Sequence, residues 1–256
     1  HLRERSAPEL AQSEWIDSYR DGGTTSVAGR SQFPIELSGR SRVISLLYSI
    51  LLGSGVTRVR FADRYESPSV TSLDIGFGAI TDSDLGLNYY QLMEERRRAL
   101  SLFPIESDAR FDNDHASPLL TVHYGTADPE QIIEWAQARR PYFLIHEPIG
   151  DEVAIGPLVI PGESPCLRCL SLYEIDNWGF TRLEKIALTT VGDLPTAAAY
   201  YVAAIAASQI LHFIDGSTAD SRNDIARNMS IGEVTYINFQ RLTEPQVVAI
   251  ARHPLC

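Results

Sequence analysis

The sequence predicts an α/β protein with a doubly wound, mostly parallel sheet. Two strand–helix–strand units carry this prediction, one within residues 33–62 and one within residues 119–146. Their elements are strands at 33–37, 56–62, 119–124 and 142–146, and helices at 41–52 and 128–140. A strand–helix–strand unit of about thirty residues is the minimal parallel crossover. Strands that alternate with helices in this way are typical of a sheet with helices on both faces.

The first 32 residues differ in composition from the rest. They are polar, and we predict that 1–32 is an N-terminal segment or linker from an upstream domain, whereas 33–256 is the folded domain. Within the segment, Ser6 is placed to cap one helix and Pro8 to occupy its first turn. The Asp21–Ser26 stretch has the composition of a loop. Because the sequence starts without methionine, we expect it to be a fragment.

Further elements follow along the chain. We predict a helix at 88–102, extended segments at 153–155 and 157–160, a helix at 196–214 and a last strand at 233–239. The 196–214 helix is apolar enough to raise the question of a membrane span. It carries Ser208, Gln209 and His212, so we interpret it as a buried core helix and predict no membrane association.

The charge of the chain limits its partners. The net charge is −11 and the pI about 5.0, which gives no electrostatic footprint for nucleic acid or an anionic membrane. Three cysteines cannot build a disulfide framework for 256 residues, and no secretory leader opens the sequence. We therefore predict a cytoplasmic protein that does not bind nucleic acid.

The turn after the first strand is where a nucleotide would bind in such a fold. Nucleotide sites of this type use a G-x-G-x-x-G frame, because backbone N–H groups must approach phosphates at a helix N-terminus. Here the frame keeps only Gly39, and Ser41 and Ile44 replace the other two glycines. Asp63, 24 residues after Gly39, stands where an acidic residue would meet a ribose hydroxyl. We predict a vestigial nucleotide site around Gly39 and Asp63 that does not hold ATP.

The cysteines indicate a metal site. Cys166 and Cys169 form a C-x-x-C pair, and His253 and Cys256 form an H-x-x-C pair 84 residues later, counted from Cys169 to His253. Two such pairs can close a tetrahedral zinc site that stabilises a fold without catalysing a reaction. A cysteine beyond residue 256 could replace His253 as the fourth ligand. Two alternatives remain open: ordinary buried thiols, and a redox-active C-x-x-C pair, which usually opens a helix after a strand.

Several stretches resemble a known superfamily. The unit that ends with Ser54–Asp63 and the late C-x-x-C pair resemble the ubiquitin-activating-enzyme-like proteins, that is, the ThiF/MoeB superfamily. Within it, three stretches are similar to the leader-peptide-binding partner proteins of thiazole/oxazole-modified peptide biosynthesis, which work beside a YcaO cyclodehydratase. They are Val70–Gly86, the run Ile155–Leu170 and the closing His253–Cys256. The resemblance implies a Rossmann-like fold with a zinc knuckle.

The departures from the superfamily concern its chemistry. Active members adenylate a carboxylate with a glycine-rich loop, an arginine, a lysine and a magnesium-binding aspartate. In this chain the glycine frame is broken, and the sole lysine, Lys185, lies beyond the C-x-x-C pair. The strand after the second crossover ends in His146-Glu147-Pro148, which offers no clear magnesium aspartate.

The resemblance implies a function. We expect a non-catalytic scaffold that helps present a ribosomally made precursor peptide to a YcaO-type azoline-forming cyclodehydratase, with structural zinc and, as in many relatives, a homodimer. The first alternative is an active ATP-dependent adenylyltransferase of the ThiF/MoeB type, in which Arg40 or Arg42 takes over missing phosphate contacts. The second is a nicotinamide-dependent oxidoreductase, which only Gly39 and Asp63 suggest.

Overall fold

The computed structural model describes residues 2–16, 22–62, 66, 68–105, 119–182, 184, 194–218 and 231–256. The chain folds as two compact units. The first comprises His1–Leu119 and Ala203–Asn228, and the second comprises Leu120–Val202 and Met229–Cys256. The predicted boundary between 1–32 and 33–256 stays a prediction.

The described strands form one mixed sheet. They are β1 (Ile35–Ser38), β2 (Val59–Phe61), β3 (Leu120–Tyr124), β4 (Tyr142–Ile145), β5 (Glu152–Val159), β6 (Glu233–Asn238) and β7 (Gln246–Ala249). The sheet has seven strands in the order β2-β1-β3-β4-β5-β6-β7. The β1–β2 and β3–β4 pairs, which are the two predicted crossovers, are parallel, and β4 to β7 pair antiparallel. The predicted α/β fold class is confirmed.

The described helices include both crossover helices. They are α1 (Leu2–Ile16), α2 (Thr24–Arg30), α3 (Arg42–Gly53), α4 (Tyr89–Leu100), α5 (Pro129–Gln137), α6 (Leu167–Trp178) and α7 (Thr196–Thr218). Helix α3 begins where the sequence indicates, because the Ser41 side chain accepts a hydrogen bond from the N–H of Ile44. Asn88 caps α4 and Asp128 caps α5 in the same way. These helix starts were predictable because the capping signals are local.

Two local predictions for the N-terminal segment, the Ser6 cap and the end of the loop, are wrong. Helix α1 already begins at Leu2, so Ser6 lies inside the helix and does not cap it. Arg5, in the part of α1 that precedes Pro8, donates a hydrogen bond to the carbonyl oxygen of Ser101 over 3.1 Å. This tertiary contact links α1 to the end of α4. The predicted Asp21–Ser26 loop was also wrong at its end, because Thr24 starts α2. Such a short helix is stable only through the side chains it buries.

A buried ion pair fastens α2 within the first unit. The guanidinium of Arg30 donates hydrogen bonds to both carboxylate oxygens of Asp215 on α7, over 2.8 and 2.6 Å. Both side chains are fully buried. Arg30 also donates to Glu9 on α1 over 2.8 Å. The pair thus ties three helices together, which makes α2 part of the packed unit despite its polar sequence.

Helix α7 is the long apolar helix predicted for 196–214. Its segment Thr196–Ser217 is the one described helix that is long and apolar enough to cross a membrane, with a mean hydropathy of 1.5, and 56% of that window is buried inside the protein. Phe213 on this helix packs edge-on against Phe33, with ring centroids 6.1 Å apart. These contacts fit the predicted core helix.

Strand β5 joins two segments that the sequence separates. The predicted extended segments at 153–155 and 157–160 form one strand through Gly156. A Cβ atom at Gly156 would lie 2.4 Å from the carbonyl oxygen of Glu233 on β6, so only glycine fits there. Helix α6 and the short strand β7 were missed, since neither has a strong apolar period.

Candidate metal centre and the α3 N-terminus

The cysteine cluster, defined as Cys166, Cys169 and Cys256, lies in the second unit. Cys166 is the N-cap residue of α6, Cys169 lies in its first turn, and Cys256 follows β7. Because residues three apart on a helix start face the same side, the local fold of α6 directs both sulfurs to one point. The structure therefore brings together three of the four residues predicted to bind a metal.

The distances fit a metal site better than a disulfide. The Cys166 sulfur lies 3.8 Å from that of Cys169 and 3.3 Å from that of Cys256, and all three sulfurs lie within 4.8 Å of one another. A disulfide needs about 2.05 Å. Zinc bound tetrahedrally at about 2.3 Å sets its sulfur ligands about 3.8 Å apart. A three-cysteine group able to hold a metal ion is thus present.

The pKa values of the sulfurs reflect their proximity. The sulfurs of Cys166 and Cys169 raise the pKa of Cys256 to about 11. Burial alone would raise the pKa of Cys169, but the backbone N–H groups of His253 and Cys166 point at its sulfur and the net pKa is lowered. Neighbouring thiolates repel one another, which disfavours loss of their protons, and a bound metal ion offsets that repulsion. The cluster is therefore suited to a cation.

His253 lies beside the cluster, but its ring makes other contacts. Its backbone N–H donates to the Cys169 sulfur over 3.4 Å. Its Nε2 lies 3.0 Å from a carboxylate oxygen of Asp176, and its Nδ1 accepts the N–H of Leu255 over 3.1 Å. The structure thus places the predicted fourth ligand next to the sulfurs with both ring nitrogens engaged elsewhere.

The structure also bears on the redox alternative. Cys166 and Cys169 open helix α6, as a redox-active pair usually does. A redox pair needs two sulfurs, however, and here a third lies 3.3 Å from the first. The convergence of three sulfurs favours metal binding.

The cluster is fixed by an apolar shell and by the C-terminal residues. Cys169 packs among buried side chains of β5, β6 and α6, and Cys166 packs against the aromatic group around Trp135. Arg252 donates to the carbonyl oxygen of Gly162 over 2.5 Å. The residues after β7 are therefore held against the start of α6 from two sides.

The predicted nucleotide position lies in the first unit, at the N-terminus of α3. Gly39 has a left-handed φ of 84°, as the tight turn after β1 requires. The Ser41 hydroxyl oxygen accepts a hydrogen bond from the backbone N–H of Ile44. Asp63 and Lys185 lie outside the described residues.

Arg40 and Arg42 bind the loop 68–88 to this helix start. Arg40 forms an ion pair with Asp74 over 2.5 Å, donates to the carbonyl oxygen of Ser69 over 2.9 Å, and lies over the ring of Tyr89. Arg42 donates to the carbonyl oxygen of Leu73 over 2.8 Å. Both cations at the α3 N-terminus therefore contact groups of the chain itself.

The loop 68–88 is well anchored. Asp74 also accepts hydrogen bonds from the N–H and hydroxyl of Thr71, each over 2.8 Å. Gly78 packs so closely on α3 that a Cβ there would lie 2.8 Å from the carbonyl oxygen of Ser45. The role of Asp74 was not predicted from the sequence, although the T-x-x-D spacing of Thr71 and Asp74 is a hydrogen-bonding signal.

The second unit also contains a buried polar group, formed by Glu174 and Tyr236. Glu174 on α6 accepts the N–H of Arg182 over 2.8 Å, while its other carboxylate oxygen is buried with no hydrogen-bond partner among the described residues. Burial raises its pKa, although the nearby Arg182 acts in the opposite direction. Within the part of the chain that the structure describes, the buried Tyr236 hydroxyl likewise has no hydrogen-bond partner. Sequence patterns gave no signal for this group.

Comparison with solved structures identifies the fold. Escherichia coli MccB with AMPCPP and MccA is similar with a TM-score of 0.71, 14% identity, and coverage of 98% of this chain and 72% of that one. MccB with MccA-N7isoASN has a TM-score of 0.70, 14% identity and coverage of 99% and 73%. PaaA has a TM-score of 0.68, 14% identity and coverage of 97% and 82%.

The fold is therefore ThiF/MoeB-like, as the resemblance in the sequence implied. No protein-family model and no curated protein sequence matches the chain. At these identities the similarity establishes the fold alone.

Proposed function

We propose that the protein is a non-catalytic partner subunit that helps present a ribosomally made precursor peptide to a YcaO-type cyclodehydratase. The observation that carries the loss of catalysis is the ion pair of Arg40 with Asp74. This pair engages the Arg40 guanidinium within the chain, whereas an adenylating enzyme would need a cation of this kind at the phosphates of ATP.

Two observations support the proposal that the partner is a peptide. MccB, which shares the fold, has been solved in complex with N-formylated MccA and is named as a biosynthetic enzyme of microcin C7. The run Ile155–Leu170 resembles leader-binding partner proteins, and it supplies the C-terminal part of β5 and the start of α6. A peptide-processing role in the cytoplasm is the function that fits both.

We further propose that the cysteine cluster holds structural zinc. Three thiolates at these separations suit Zn²⁺, which has no redox chemistry of its own. The fourth ligand is His253, after its ring leaves Asp176, or a cysteine beyond residue 256. Bound zinc would supply a link between α6 and the segment after β7.

The test is a pair of assays on the purified chain. Calorimetric titration with ATP and Mg²⁺, together with pyrophosphate exchange, measures adenylation. Azoline formation by a YcaO-type enzyme on its precursor peptide, followed by mass spectrometry with and without the chain, measures the partner role. We expect no exchange and faster azoline formation. Exchange that is lost in the Arg40→Ala/Arg42→Ala variant would instead establish the adenylyltransferase.

A further inference from the structure

Strand β7 is an exposed edge of the sheet. It pairs with β6 on one side, and among the described strands it is the last in the sheet order. The side chain of Val247 is 58% exposed. At the opposite edge, Val59 and Phe61 of β2 are buried. An edge strand presents backbone N–H and C=O groups that can pair with another chain.

The sequence of β7 lacks the usual protection of an edge. Residues 246–251 read Gln-Val-Val-Ala-Ile-Ala and carry no charge and no proline. Proteins commonly protect edge strands with lysine, proline or a bulge. Pro245 and Pro254 flank this stretch but lie outside β7. The edge is therefore chemically open to a further strand.

The strand is also held rigidly from its inner side. Val248 pairs with Val234 on β6 and packs against the apolar group around Cys169. The N–H of Ile250 donates to the carbonyl oxygen of Gly232 over 2.7 Å. The cysteine cluster and Arg252 then fix the residues that follow. A strand ordered in advance binds a ligand at a lower cost in conformational entropy.

We propose that β7 is a strand-addition site for an extended peptide with an uncharged, β-branched centre. The backbone groups of an edge select an extended partner, and Val247 favours a β-branched side chain opposite. A second copy of the chain would bring its own charge of −11 to the contact, whereas a neutral or basic peptide would not. The identification of that peptide as the precursor rests on the proposed function.

The experiment measures binding of a fluorescein-labelled Lys-Thr-Val-Thr-Val-Thr-Lys peptide to the full chain by fluorescence anisotropy. A twin peptide with alternate backbone nitrogens methylated keeps the side chains but cannot pair as a strand. Val247→Lys places a charge on the edge. Ile133→Lys, at a residue 55% exposed on α5, is the matched control. Thermal unfolding of both variants verifies that they fold.

We expect the plain peptide to bind, and methylation or Val247→Lys to weaken binding at least tenfold while Ile133→Lys leaves it unchanged. No binding, equal binding of the methylated twin, or indifference to Val247→Lys would overturn the inference. So would a dimer, seen by light scattering, that Val247→Lys dissociates, because the edge would then belong to a second copy.

The same variants separate this inference from the proposed function. If the strand peptide binds at β7 but the chain does not change azoline formation, the edge site stands and the partner role fails. If the chain accelerates azoline formation equally well with Val247→Lys, and the strand peptide does not bind, the partner role stands and the edge site fails.

Discussion

The α3 N-terminus in the first unit and the cysteine cluster in the second differ in how their polar groups are satisfied. At α3, Arg40 lies against a carboxylate and Ser41 caps a backbone N–H, so opposite groups match within the chain. In the cluster, like groups converge, and the neighbouring sulfurs raise the pKa of Cys256. Matched groups need no ligand, whereas converging sulfurs are stabilised by a cation. The comparison thus supports the proposals that the nucleotide site of the first unit is lost and that the second unit holds a metal site.

The largest expected effect is loss of the metal. We expect Cys166→Ser to remove zinc and to destabilise the protein severely, because structural zinc contributes on the order of 10–16 kcal/mol of apparent binding free energy. Metal analysis and the thermal midpoint with and without a strong chelator measure this. A metal-free wild-type protein whose midpoint ignores the chelator would contradict it.

The variant His253→Ala distinguishes between the two candidates for the fourth zinc ligand. If a cysteine beyond residue 256 is the fourth ligand, as the contacts of both His253 ring nitrogens with Asp176 and Leu255 favour, zinc stays bound in this variant at unchanged stoichiometry. Loss of zinc in this variant would instead establish His253 as the fourth ligand.

The next largest effect concerns the buried ion pair of the first unit. Asp215→Ala leaves the Arg30 guanidinium buried without its main carboxylate, which costs about 3–5 kcal/mol of unfolding free energy. Urea denaturation measures the loss. Glu244→Ala, which removes an exposed pair with Arg241 at 3.8 Å, is the control and should change stability by less than about 1 kcal/mol. Equal effects in the two variants would refute the assignment.

A smaller effect is expected at the loop 68–88. Asp74→Ala removes the partner of Arg40 and two hydrogen bonds to Thr71, so we expect a loss of about 1–3 kcal/mol. Asp82→Ala, at an exposed position of the same loop, is the control. We expect no ATP binding by calorimetry in either variant. ATP binding gained with Asp74→Ala would show that the nucleotide site is covered and not lost.

The smallest effect is a pH dependence at Glu174. Burial raises its pKa above the ordinary value of 4.5. Its contribution to stability is therefore present below that ordinary value and is lost as the pH rises through the folded pKa. Glu174→Gln should flatten this slope and raise stability at pH 8 by about 1 kcal/mol, because the variant removes the charge of a buried carboxylate. Denaturation from pH 4 to 8 tests it; an unchanged slope would contradict it.

The parts of the fold that sequence could predict depend on local signals. The crossovers were recognisable because strands and apolar-periodic helices alternate along the chain, and because Asp128 marks the start of α5 within two residues of its hydrogen-bond partner. The short elements α2 and β7 were not, because tertiary burial and strand pairing stabilise them and their own periodicity does not.

The candidate site shows the same limit. The C-x-x-C spacing alone places two sulfurs together, and the third followed from the repeated spacing at Cys256. The position of the His253 ring depends on Asp176, 77 residues away, and the use of Arg40 depends on Asp74, 34 residues away. Such pairings arise from the fold and leave no spacing pattern in the sequence.

The cysteine cluster also has a consequence for how the second unit assembles. Cys166 and Cys256 are 90 positions apart, and strands β6 and β7 lie between them. Closing so long a loop is entropically costly until those strands have docked. An ion captured early by Cys166 and Cys169 alone would exchange readily with the medium. If the cluster binds zinc as we propose, tight retention of zinc during refolding therefore marks the moment at which β6 and β7 are in register, and the rate at which zinc becomes tightly bound measures that step.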